Sequence, residues 1–248
     1  SGDDWILVTS WMVACLSPRG PYPVLNLEGE QGSAKSTAAR VLRSLIDPSD
    51  VPLRAEPRDP HDLMIAATNA WVQAYDNLSR LPPWLSDAFC RLATGGGFAT
   101  RELYSDSEET LFEAQRPVLL NGIEELAVRN DLLDRALIVT LPAIDEGRRR
   151  PEVDLWREFE AVRPGVLGAL LDALSVALRV SPGIRLRTTP RMADFAVWAT
   201  SASPGLGWGP AAFARAYGVN REAAHEVALE DSPVWAAIRE LVSADEAW

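Results

Sequence analysis

The stretch PVLNLEGEQGSAKST, residues 23–37, restricts the fold more than any other part of the chain. Val24, Leu25 and Leu27 read as a buried strand, residues 29–34 as a small-residue loop, and Lys35 and Ser36 as the start of a helix. A strand handing over to a helix through small residues gathers backbone N–H groups and a helix N-terminus at one point, as a polyphosphate requires. A lysine there reaches the β- and γ-phosphates, and the neighbouring hydroxyl ligates Mg²⁺. The pattern G-x-x-x-x-G-K-[ST] (Walker A) is met at Gly29, Lys35 and Ser36, with Glu30, Gln31, Gly32 and Ser33 inside it and Thr37 following. Ala34 stands where the second glycine belongs. A Cβ at that position restricts both the backbone angles and close approach to phosphate. The competing reading is a Gly-rich strand-to-helix turn that holds no ligand.

A count separates the two. The chain carries 24 Lys and Arg residues, of which Lys35 is the one lysine. A compact ammonium on a flexible stem fits inside such a loop and a guanidinium fork does not. A sequence that uses arginine everywhere else and lysine here binds a nucleoside triphosphate, expected to be ATP with Mg²⁺.

The 248 residues suffice for one large α/β domain, or a core with a helical appendage. A net charge of −11 excludes a surface that grips nucleic acid everywhere, so any DNA contact is local. Cys15 and Cys90 have no CxxC partner and read as free buried thiols of a cytoplasmic protein. His61 and His225 suggest no metal cluster. The apolar run at residues 6–16 is too short to span a bilayer, and no signal peptide is evident.

Along the chain, a helix is expected over residues 5–16, ahead of the phosphate-site strand and a helix at 35–46. A short strand at 53–55 and a helix at 62–67 follow. Residues 70–77 form a strand ending in Asp76, and 84–93 a helix. The triple glycine, FATRELY and TLFEA predict a β-hairpin at about 95–113. Strands at 117–121 and 136–141 flank a short helix at 130–134. Strands alternating with helices imply a parallel sheet with crossover helices. After residue 145 every segment reads as helix: 155–159, 165–179, 192–200, 210–217, 221–229 and 233–243. A boundary is therefore expected between residues 1–145 and 146–248, at the Arg-rich DEGRRRP segment.

Hydrolysis needs more than a cradle. Asp76, at a strand end, is the expected second Mg²⁺ carboxylate, or else a turn cap. The next position, where a glutamate would polarise water, holds Asn77, which orients a water without accepting its proton. Glu28, Glu30, Asp106 and Glu108 are candidate substitutes. Asn121 ends another strand and either holds the attacking water or forms a turn before Gly122. Arg135 either neutralises transition-state charge on a neighbouring copy's nucleotide or pairs with Asp131 or Asp134. Arg191 reaches toward the γ-phosphate from the helical part, in competition with Arg185 and Arg187.

This order of phosphate loop, strand ending in Asp, strand ending in Asn, Arg before the last strand and helical lid resembles an AAA+ ATPase. The segment LATGGGFATRELYSDSEETLFEAQRPVLLNG is similar to the signature of phage and plasmid primase-helicases of superfamily III, matching at Thr94, Gly95, Gly96, Arg101, Tyr104 and Asn121. The resemblance covers residues 5–141 and extends loosely beyond. It implies a three-layer α/β/α P-loop core with a C-terminal helical lid. It also implies a ring, usually hexameric, whose hairpins project Arg101 and Tyr104 onto single-stranded DNA. Primase or winged-helix modules often flank such a motor. Ala34 and Asn77 depart from the pattern, and the hairpin carries acids instead of lysine.

The sequence thus reads as the ATP-hydrolysing motor of a replicative helicase or primase-helicase of a phage, plasmid or mobile element. The alternatives are a slow or non-catalytic nucleotide-dependent assembly switch, and a P-loop kinase of a small metabolite.

Overall fold

The computed structural model describes residues 2–101, 109–122, 129–209 and 211–230. Helix α1 (Gly2–Cys15) precedes β1 (Val24–Glu28) and α2 (Lys35–Ile46). Helix α3 (Pro60–Asn69) leads to β2 (Gln73–Leu78), and α4 (Pro83–Thr94) to a hairpin of β3 (Gly97–Arg101) and β4 (Glu109–Glu113). Then come β5 (Val118–Gly122), α5 (Asn130–Leu133) and β6 (Ala136–Thr140), followed by α6 (Glu152–Val180), α7 (Ala193–Ala202) and α8 (Ala212–Glu230).

Local chemistry sets several of these boundaries. The Asp59 carboxylate accepts from the Asp62 N–H at 2.9 Å and caps α3, with Pro60 opening the helix. Pro83 opens α4, and Gly95 at φ 86° closes it in the left-handed region. The expected strand at 53–55 contracts to Arg54, bridged to Tyr75. Its N–H donates to Ala74 O and its carbonyl accepts from Asp76 N, each at 2.9 Å.

β1, β2, β5 and β6 form one parallel sheet in the order β2-β5-β1-β6. Alternation assigns its two faces. Leu25, Leu27, Ala74, Leu119, Leu137 and Val139 join the buried cluster with α1, α2, α6 and α7. Val24, Tyr75, Val118, Leu120 and Ala136 join the opposite cluster with α3, α4 and α5. Strands buried on both faces are why these segments read as continuous apolar runs. The architecture is three-layer α/β with a parallel sheet.

The helices after residue 145 pack as part of the first layer, sharing its core with α1 through Leu170, Ala173, Phe195 and Phe213. Three tryptophans pin α1 in place: Trp11 Nε1 donates to Pro23 O at 2.9 Å, Trp71 Nε1 to Cys15 O at 2.8 Å and Trp198 Nε1 to Val13 O at 3.4 Å. Asn220 of α8 grips the outer edge of β6, its Nδ2 donating to Ile138 O and its Oδ1 accepting from Ile138 N.

Two expected helix breaks are absent. α6 runs unbroken through Pro164, and α8 through Gly218. Pro164 and Glu160, whose carbonyl loses its helical donor, are both exposed, so water satisfies that carbonyl. The expected helix at 233–243 lies outside the described residues.

Candidate functional site

Because β5 lies between β1 and β2, the C-terminal ends of three neighbouring parallel strands meet at one point. Asn121 stands opposite Leu27 and therefore faces the α2 side of the sheet, as does Asp76, one residue beyond Tyr75. Both reach the N-terminus of α2. A cleft of about 320 Å³ opens there, lined by Gln31, Gly32, Lys35, Ser36, Asp76 and Asn121 among others.

The loop before α2 is shaped by three residues at positive φ. Gly29 lies at φ +146°, and a Cβ there would stand 2.3 Å from Leu141 O. Gly32 follows at φ +84°. Ala34 takes φ 61°, ψ 29°, the left-handed conformation that the missing glycine would have supplied without cost. Lys35 is buried in the loop, its Nζ donating to Gly29 O at 2.7 Å, Glu30 O at 2.9 Å and Ser33 Oγ at 3.2 Å. Ser33 is tied back in turn, its Oγ donating to Glu30 O at 2.8 Å.

Ser36 Oγ donates to Asp76 Oδ1 at 2.8 Å. Two hard oxygens at that spacing match adjacent ligands of an octahedral Mg²⁺, which lie about 2.9 Å apart for metal–oxygen bonds near 2.05 Å. The donor set therefore fits the ion. Asn77 adopts φ 56° and donates its N–H to Asn121 Oδ1 at 2.9 Å. Asn121 Nδ2 is buried in the cleft wall with no hydrogen-bond partner among the described residues. Glu28 alternates with Leu27 onto the opposite face, where its Oε1 accepts from Asn26 Nδ2 at 2.6 Å. Among the described residues, Asp76 is the one carboxylate lining the cleft.

The sequence profile described as actinomycete integrative conjugative element replication protein matches residues 2–216. The chain belongs to that family. No curated protein sequence matches the chain. A JCV helicase structure shares 10% identity with it over 85% of this chain and 67% of its own, with a TM-score of 0.42. NtrX of Brucella abortus, solved with ADP, shares 14% identity over 90% of this chain and 66% of its own, with a TM-score of 0.34. The chain spans about two thirds of either neighbour.

Other expected site residues lie elsewhere in the chain. Arg135 donates to Asp131 O at 2.6 Å and pairs with Asp131 Oδ1 at 2.5 Å. It precedes Ala136, opposite Val24, whereas the loop follows Glu28, opposite Thr140, so about 15 Å of strand separates them. Arg191 also meets Asp131, at 3.9 Å, rather than the phosphate loop of its own chain. The convergence of Arg135, Arg191 and Arg129 holds the Asp131 carboxyl below the usual carboxylate range, the Arg135 hydrogen bond contributing most. Arg101 ends β3 opposite Glu109, while Tyr104, Asp106 and Glu108 lie outside the described residues.

The DEGRRRP segment does more than mark a boundary. Ile144 N–H donates to Gly32 O at 3.3 Å, and the Arg149 guanidinium lies over Gly32. A second cavity of about 370 Å³ extends from Ala34 and Thr37 along Pro142, Ile144, Arg148 and Leu155. Three arginines directly after the last strand were the available signal. Asp59, His61 and Asp62 bring potential ligand atoms within 4.8 Å of one another on the exposed start of α3, although Asp59 is already engaged as its cap.

Proposed function

We propose that this chain is the ATP-binding and hydrolysing motor domain of a mobile-element replication protein, of AAA+ type, working as a ring on single-stranded DNA. The observation that carries the reading is the meeting of Lys35, the Ser36–Asp76 pair and Asn121 around one cleft at the ends of β1, β2 and β5. Lys35 and the N–H groups of residues 29–36 hold the phosphates. Ser36 and Asp76 would hold Mg²⁺, which would neutralise phosphate charge when bound. Asn121 positions the water that attacks the γ-phosphorus as the bond to the β-phosphate oxygen breaks. The neighbouring cavity at residues 142–155 is the place for the base and ribose. Helices α6–α8 serve as the lid, and Arg135 acts across a subunit interface after leaving Asp131. The hairpin of β3 and β4 carries Arg101 toward DNA.

The test is ATP hydrolysis with and without single-stranded DNA at low salt, where phosphate contacts persist. Lys35→Ala should abolish nucleotide binding, and Arg101→Ala should remove DNA stimulation. Normal hydrolysis by Lys35→Ala would refute the site.

A second reading, the slow nucleotide-dependent assembly switch, is favoured by Asp76 being the lone lining carboxylate among the described residues and by neutral Asn77 beside it. It expects nucleotide to change sedimentation while turnover stays low and indifferent to DNA.

A further inference from the structure

Between Tyr75 and Leu78 the register of β2 slips against β5. Tyr75 stands opposite Leu120 but Leu78 opposite Gly122, so β2 takes three steps where β5 takes two. The extra residue is absorbed as a bulge, and the left-handed conformation of Asn77 falls within it. Among residues with a side chain beyond Cβ, Asn and Asp enter that conformation most readily, and β-branched residues do so worst. The bulge turns the Asn77 N–H onto the end of β5, where it donates to Asn121 Oδ1.

An N–H bonds only to an acceptor, so this contact fixes which way round the Asn121 amide sits. Oδ1 is consumed by the backbone, and Nδ2 is left as a buried donor without a partner among the described residues, in the wall of the phosphate cleft. A strained backbone and an unpaired buried donor lie side by side, and each is unfavourable alone. An anionic oxygen in the cleft would satisfy the donor.

We propose that Asn77 is a positioning residue: its left-handed backbone orients the Asn121 amide so that Nδ2 reads the terminal phosphate oxygen of a triphosphate. Position 77 is asparagine for the backbone conformation it accepts, and its side chain takes no part in accepting a proton. This inference rests on the cleft being the γ-phosphate site.

The experiment measures dissociation constants for fluorescent ADP and a non-hydrolysable ATP analogue with Mg²⁺, in the whole chain and in Asn77→Gly, Asn77→Ala and Asn77→Val. All variants should bind ADP within about twofold of the parent, since Lys35 and Ser36 are untouched. The preference for triphosphate should survive in Asn77→Gly, which accepts positive φ. In Asn77→Val it should fall by about tenfold, the loss expected for one hydrogen bond to an anion. Asn77→Ala should lie between them, and it carries the test if the valine variant does not fold, because Ala34 shows that alanine can hold this conformation in the same site. Equal loss in Asn77→Gly and Asn77→Ala would place the role in the side chain and overturn the proposal. Unchanged preference in a folded valine variant would overturn it as well. Failure of the parent chain to bind either nucleotide would instead refute the phosphate site itself.

Discussion

Replacing Ala34 by glycine should stabilise the protein. Alanine at φ 61° holds its Cβ against the following carbonyl, at a cost of about 1–2 kcal/mol. Glycine removes that strain but adds freedom to the unfolded chain worth about 0.4–1 kcal/mol. Ala34 is exposed, so losing its methyl group forfeits little burial. The balance is a gain of about 0.5–1 kcal/mol, or roughly 1–4 °C in Tm for a domain of this size. Urea denaturation read by tryptophan fluorescence would measure it, with thermal scanning as a second readout. Nucleotide affinity should hold or improve, because the donors of the loop keep their places. Destabilisation by more than about 0.5 kcal/mol would refute the strain account and mean that the Ala34 methyl makes a contact worth more than its conformational cost.

Gly29→Ala should do the opposite: a Cβ 2.3 Å from Leu141 O and 2.9 Å from Ser33 Oγ forces the loop apart. The expected cost is at least about 2–3 kcal/mol, with fluorescent-nucleotide binding lost. Asn220→Ala should leave the Ile138 N–H and carbonyl unpaired at a cost of about 1–3 kcal/mol. It also bares the β6 edge, so light scattering on heating should rise sooner. Burial raises the Cys90 thiol to about 11 and lifts Cys15, Tyr22 and Tyr75 well above their ordinary values. Folding therefore favours the neutral thiols, a contribution complete below about pH 8.5 and lost as pH rises toward 11. The unfolding free energy from urea titration should fall through that window, by about 1.4 kcal/mol per pH unit for each titrating thiol; a flat profile would show that the thiols are not sequestered.

The cleft at the end of β1 was legible because its residues are sequential: β1, the loop and Lys35 are contiguous, and Asp76 and Asn121 each end an apolar run. The unread features depend on atoms far apart in the chain. Nothing near Ala34 says that its backbone turns left-handed, and the bulge at Asn77 exists only through the register of β2 against β5. Arg135 meets Asp131 as an i,i+4 pair, one of its two expected readings, whereas the approach of Arg191 to Asp131 joins segments far apart in the chain. Pro164 was read as a stop because local preference disfavours it within a helix, but α6 continues where solvent can serve the orphaned carbonyl. The grip of Asn220 on Ile138 spans 82 residues and left no local trace.

The solitary lysine gives this protein an unusual chemical address. An amine-selective acylating reagent has one side chain to modify in these 248 residues, and that side chain lies at the centre of the loop. Each of its three N–H bonds is directed to an acceptor, so acylation must first pull the lysine out of its nest. Modification should be slow in the folded protein, slower with bound nucleotide and fast in denaturant. One acyl group on Lys35 would erase the positive charge from the loop, making a mass spectrum of the side-chain adduct a direct count of silenced sites.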